Sequence, residues 1–180
     1  MRIICLLFLL CAGRVGAQTA APDSARAGMP SNEAFLNEVL TQTPDSVFYL
    51  VAGSDTCRFE KFDYDEWIKY HLQEMVPLPT LNELSYKVHV TKEPYYWQQD
   101  RLKKATCITG KTADSLLALP SGSKVYSISR PYFTDDGQYA VMDVNLLYRP
   151  VTMHGFTLLF HRTPKGWKTI GSKQNGKTIN

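Results

Sequence analysis

Gln138-Tyr139-Ala140-Val141-Met142-Asp143-Val144-Asn145-Leu146-Leu147-Tyr148 is the stretch that decides the fold. Successive side chains of an extended chain point to opposite faces, and Ala140, Met142, Val144, Leu146 and Tyr148 all fall on one of them. The spacing predicts a strand over 138–148. Gly155 to Arg162 repeats the pattern with Phe156, Leu158 and Phe160, Trp167 to Gly171 follows, and Lys124 to Arg130 precedes. Turn-rich stretches at Asp135-Asp136-Gly137, Arg149-Pro150 and Pro164-Lys165-Gly166 separate these runs, so they form an antiparallel meander. An apolar sheet face must be covered, and the cover has to come from helices earlier in the chain. The predicted architecture is an α+β single domain over 31–180.

Upstream, Ser31 offers an N-cap, Glu33 lies in the first turn, and Phe35, Leu36, Val39 and Leu40 recur at helical spacing until Pro44. Val47 to Val51, a turn at Gly53-Ser54 and Thr56 to Phe62 suggest a hairpin. Asp63 and Glu66 form a capping-box pattern before Tyr64, Trp67, Ile68, His71, Leu72, Met75 and Val76, a second helical stripe closed by Pro77. Tyr86, Val88 and Val90 alternate with polar residues as a half-buried strand would. Pro94 fits the first position of a helix running to about Ala105, and Thr112 fits the cap of a short helix through Leu119.

The N-terminus carries a different signal. Arg2 precedes an apolar run from Ile3 to Ala12, and Val15-Gly16-Ala17 places small residues where signal peptidase needs them, directly before Gln18. The run is about half the roughly 20 residues that span a bilayer. Residues 1–17 are therefore expected to be a cleaved signal peptide, with no transmembrane segment in the mature chain and a periplasmic or secreted destination. Cys11 follows Phe8-Leu9-Leu10, which does not suit lipidation. Residues 18–30, rich in Ala, Pro, Ser and Gly, lack the large apolar side chains that would offset their ordering entropy and form a flexible leader.

Cleavage leaves Cys57 and Cys107 in an oxidising compartment. A disulfide between them is expected, and closing a loop of about 50 residues would stabilise the fold by roughly 4 kcal/mol; two buried thiols are the alternative. Cleavage also leaves 18 Lys+Arg against 17 Asp+Glu, so overall charge points to no partner. Its distribution is uneven: residues 18–100 carry a balance of −7 and residues 101–180 one of +8. Arg162, Lys165, Lys168 and Lys173 are candidates for a surface that binds an anionic glycan, an anionic lipid or an acidic exported protein. Mutual neutralisation of the two halves is the alternative.

Ser129, Pro131 and Phe133, then Tyr139-Ala140 opening one strand and Gly166-Trp167 opening the last, resemble a pattern in small exported Bacteroidota proteins of unknown function. Lys165-Gly166-Trp167-Lys168 on a meander also looks like parts of NTF2-like or cystatin-like folds. The resemblance covers about the last fifty residues and implies an exported α+β protein. It brings no catalytic residue with it.

No nucleophile elbow, phosphate-binding loop, zincin helix, Cys-x-x-Cys pair or complete calcium loop occurs. Metal ligands and cofactors are not expected. His154 and His161, seven apart, would point to opposite faces of one regular strand, and Asp63, Asp65 and Glu66 are explained by helix capping. Tyr95-Tyr96-Trp97 is the main binding candidate, because three consecutive aromatics cannot all enter the core and an exposed ring stacks on sugars or fills an interface. Nucleic acid is not an expected partner. The sequence thus points to a non-catalytic envelope module binding a glycan or protein, with a small periplasmic hydrolase as the alternative.

Overall fold

In the computed structural model, which describes residues 28–42, 48–54, 76–91, 93–119, 124–147 and 153–174, one sheet crosses the molecule with helices on both faces. Its members are β1 (Phe48–Val51), β4 (Ala105–Ile108), β5 (Val125–Ile128), β6 (Tyr132–Phe133), β7 (Tyr139–Leu147), β8 (Met153–Thr163) and β9 (Gly166–Gln174). They are ordered β4-β1-β5-β7-β8-β9, with β6 also paired to β7. β1 runs parallel to β4 and β5; all other pairings in this sheet are antiparallel, and β7-β8-β9 is the expected meander. A separate two-stranded sheet joins β2 (Gly53–Ser54) to β3 (Tyr95–Tyr96). The described elements make a mixed α+β domain.

Helix α1 (Asn32–Thr41) starts where expected, with the Ser31 hydroxyl accepting from the Ala34 amide at 3.1 Å. Its Phe35, Leu36 and Leu40 cover one sheet face and pack with Phe48, Leu50, Met142, Phe160 and Trp167. Phe35 is the centre of this core: Phe133, Phe160 and Trp167 each present a ring edge-on to it or it to them, with centroids 5.0–5.2 Å away. On the opposite face, α2 (Leu78–Val90) sets Leu81, Leu84 and Val88 against Val141 and Leu159, and α3 (Gly110–Leu117) sets Ala113 against Ile108 and Val125. The sheet is therefore buried on both sides. Phe156 departs from the expected covered face and is 38% exposed.

Several sequence expectations are overturned. Val47 to Val51 does not open a hairpin: β1 is central, pairs in parallel on both sides, and buries alternate residues against opposite helix layers, which is what a short, wholly apolar run does. Gly53-Ser54 is not a turn but β2. The alternation at Tyr86, Val88 and Val90 is not a strand, because those residues end α2 and only Val88 is buried. Pro77 precedes α2, with Pro79 in its first turn, where a missing amide costs nothing; the helix that Pro77 was expected to close lies outside the described residues. Residues 94–105 form no helix; β3 and a 3-10 turn at Gln99–Arg101 lie there instead. The short helix after β4 is capped by Thr109, not Thr112, whose amide donates to the Thr109 hydroxyl at 3.2 Å. The expected signal peptide, most of the leader, the strand over 56–62 and the helix over 63–75 lie outside the described residues.

Both sheet edges are met by side chains. On β4, the Gln99 carboxamide donates to Ala105 O at 3.2 Å and accepts from Cys107 N at 2.5 Å. On β9, Glu38 accepts from Trp167 N at 2.7 Å and Gln42 donates to Trp167 O at 2.7 Å, both reaching from α1. Glu38 fits there because Gly166 has no Cβ: one built on Gly166 would lie 2.2 Å from Glu38 Oε1. Gly166 also has φ +109°, a conformation that L side chains rarely adopt.

Candidate functional site

Strand β5 does not run straight into β6. Ile128 faces Val144 and Tyr132 faces Val141, so the β5–β6 side carries one residue more than its partner, a bulge at Ser129-Arg130-Pro131. Proline, with no amide to give the ladder, suits such a place. Ser129 ties the irregular backbone together, its buried hydroxyl accepting from Asp143 N at 2.9 Å and donating to Arg130 O at 3.0 Å. The residues that carried the family resemblance, Ser129, Pro131 and Phe133, thus build a bulge and the strand after it.

The bulge brings Arg130 to a cleft of about 940 Å³ at the end of the sheet. The N-terminus of α1, the C-terminus of α2 and the segment around β3 form the other walls. Arg130 stacks its guanidinium carbon 5.5 Å from the Tyr132 ring centroid. Its Nη2 is buried and makes no hydrogen bond; Glu93, mostly exposed, stands 3.7 Å away. Arg101 lines the same cleft, its loop fixed by Asn37, which donates to Arg101 O and accepts from Lys103 N, both at 2.8 Å. Lys87 is differently employed. Its ammonium donates to Asp135 at 2.6 Å and Phe133 O at 2.8 Å and pairs with Glu83 at 2.8 Å, which binds α2 to the β6–β7 turn. Burial opposes its charge, but the hydrogen bonds to Asp135 and Glu83 outweigh that and hold its pKa above the usual lysine value.

Glu33 is the buried carboxylate of the cleft, only 2% exposed, and accepts the phenol proton of Tyr95. Burial first, and this hydrogen bond second, push the Tyr95 pKa up to about 12. Folding therefore favours neutral Tyr95. That contribution is complete below the unfolded value near 10 and disappears as pH rises through about 12. In a spectrophotometric titration of tyrosinate absorbance, Glu33→Gln should move one late-titrating tyrosine to lower pH. An unchanged titration curve would show that Glu33 does not hold the phenol.

The aromatic triplet is divided by its surroundings. Tyr95 is half-buried in the cleft wall and Tyr96 is 67% exposed, whereas Trp97 is a core residue whose indole nitrogen donates to Ile128 O at 3.0 Å. The four C-terminal cations do not share a surface. Arg162 pairs across the ladder with Trp167 on the α1 face and donates to Gly28 O at 2.8 Å. Lys168 faces His161 and Lys173 faces Thr157 on the opposite side, and Lys165 sits in the connecting turn.

The expected link between Cys57 and Cys107 is not formed: Cys107 is a free thiol. It packs at the margin of the α1-side core, with its sulfur 3.9 Å from Trp97 O, and burial pushes its pKa up. A raised pKa disfavours the nucleophilic thiolate. The position of Cys57 lies outside the described residues. His161 stacks on Tyr139 with centroids 4.7 Å apart, and His89 lies on α2 with Nδ1 2.7 Å from Ser85 O. Among the described residues no three His, Cys, Asp or Glu side chains gather as a metal site, and no helix is long and apolar enough to cross a membrane.

Glu33, Arg101 and Arg130 were not singled out by sequence. A proline inside an otherwise β-prone run, Pro131, was the available sign of the bulge, and an acid on the apolar side of the first helix was the sign of Glu33. Fold and cleft together define the class: a mixed α+β domain with a polar cleft at the end of its sheet. No family model, no curated protein and no solved structure matches the chain.

Proposed function

We propose that this protein is an exported, non-catalytic binding module of the cell envelope that takes a glycan in the cleft beside the Ser129-Arg130-Pro131 bulge. The observation that carries the reading is the cleft itself. It is of ligand size and places donors and acceptors from four separate elements around one space, the Arg130 guanidinium among them. The Arg130 side chain stays partly exposed in this wall, with only a long ion pair to Glu93, so it retains hydrogen-bonding capacity that a polyhydroxylated ligand can use. Tyr95 contributes a polar tip and part of a ring face, and exposed Tyr96 is available to a sugar reaching past the cleft. A hydrolase would need a base close to neutral pH, and a phenol held protonated until about pH 12 does not act as one.

Gln98 is exposed, lines the cleft and makes no side-chain capping bond. Gln98→Trp is therefore expected to fill the cleft and abolish calorimetric binding of a purified oligosaccharide panel, with the melting temperature unchanged. The joint replacement of Arg162, Lys165, Lys168 and Lys173 by Gln should alter binding far less, since those residues lie on different surfaces. Parent-like binding by the Gln98 variant would move the site elsewhere, and cleavage of the panel on prolonged incubation would favour the hydrolase.

A further inference from the structure

We propose that the cleft recognises a carboxylate-bearing sugar, with the acid group seated on Arg130 and the ring hydroxyls turned toward Glu33. This rests on the binding function just described and names its ligand chemistry. The three cations of the cleft differ in how far the protein satisfies them. Lys87 is saturated by two carboxylates and a carbonyl. Arg130 has only the long contact to exposed Glu93, and the Arg101 guanidinium has no hydrogen bond or ion pair among the described residues. Two guanidinium groups in one cleft thus keep their donors for something else.

A guanidinium presents parallel N–H donors that match a planar carboxylate bidentately. Arg130 is suited to this because the bulge fixes its backbone and the Tyr132 ring supports its guanidinium, so little side-chain freedom remains to be lost on binding. The N-terminus of α1, with Ser31 and Asn32 in the cleft wall, favours negative charge nearby. Glu33 makes the opposite demand. A carboxylate offers about four lone-pair sites, and the Tyr95 hydroxyl takes one. The ligand must therefore carry an anion at the arginine side and hydroxyl donors at the Glu33 side. An acidic sugar has both on one ring; a peptide C-terminus has the anion without the hydroxyls.

The test is calorimetric titration of the exported chain at low salt with digalacturonate, the matched neutral disaccharide galactobiose, and trialanine. Digalacturonate should bind at least tenfold more tightly than galactobiose, with trialanine weakest. Arg130→Gln should weaken digalacturonate binding at least tenfold, Arg130→Lys should weaken it comparably because charge without the fork does not suffice, and Arg101→Gln should weaken it severalfold. Melting curves report folding, and Arg130→Lys keeps the charge, so it serves should the Gln variant prove unstable. Equal binding of the acidic and neutral disaccharides overturns the carboxylate assignment while leaving the glycan reading in place. Parent-like binding by both Arg130 variants, or trialanine outcompeting digalacturonate, also overturns it. If neither disaccharide binds, the glycan reading falls with it.

Discussion

Phe35→Ala is expected to lower the unfolding free energy by about 4 kcal/mol, the range for removing a fully buried aromatic ring. Phe35 has no exposed surface and is in edge contact with Phe133, Phe160 and Trp167, which come from β6, β8 and β9. The void would open between α1 and three strands that rigid hydrogen bonding prevents from closing in. Phe35→Leu, which keeps most of the apolar volume, should cost about half as much. Equilibrium denaturation in urea measures both. A loss below about 1 kcal/mol for the alanine variant would mean that the α1 face repacks freely.

Gly166→Ala should be strongly destabilising, and more so than alanine at Gly28, Gly53, Gly110 or Gly137. A positive φ costs an L residue about 1–2 kcal/mol, and the new methyl would displace the Glu38 carboxylate from Trp167 N, a charged hydrogen bond worth about 1.5–3 kcal/mol. The expected loss is about 2.5–5 kcal/mol. The two causes separate in a double-mutant cycle. With Glu38→Ala already in place the collision is gone, and Gly166→Ala should then cost only the backbone part. Strict additivity would show that Glu38 and Gly166 are not coupled.

What the sequence made readable was governed by local physics. Ser31 with Phe35, Leu36 and Leu40 predicts α1 because a cap and a stripe are properties of neighbouring residues, and the meander is readable because its turns are. Failures occurred where burial depends on distant partners. The run before Ala52 is equally good for a hairpin and for a central parallel strand, and only the arrival of β4 and β5 decides. In α2, Tyr86 and Val90 mimic a strand with Val88, while the stripe that matters, Leu81, Leu84 and Val88, is defined by the Val141 and Leu159 face it covers. The cleft was the least readable part. Glu33, Tyr95, Arg101 and Arg130 are spread over some hundred positions and meet only once the sheet is built.

The side chains at the two sheet margins have a consequence for how the molecule behaves in company. A carboxamide is chemically a peptide group, so Gln99 gives β4 what one residue of an incoming strand would give it, from within the same chain. Glu38 and Gln42 do likewise for the first outward-facing peptide groups of β9, and Lys165, Lys168 and Lys173 make that margin costly to approach for a second copy of itself. Among the described strands, each outer one thus carries side-chain contacts of this kind, at Ala105 and Cys107 on β4 and at Trp167 on β9. Templated growth into fibrils, the hazard of any protein with an open sheet edge, is opposed here by six side chains that cost the fold no additional secondary structure.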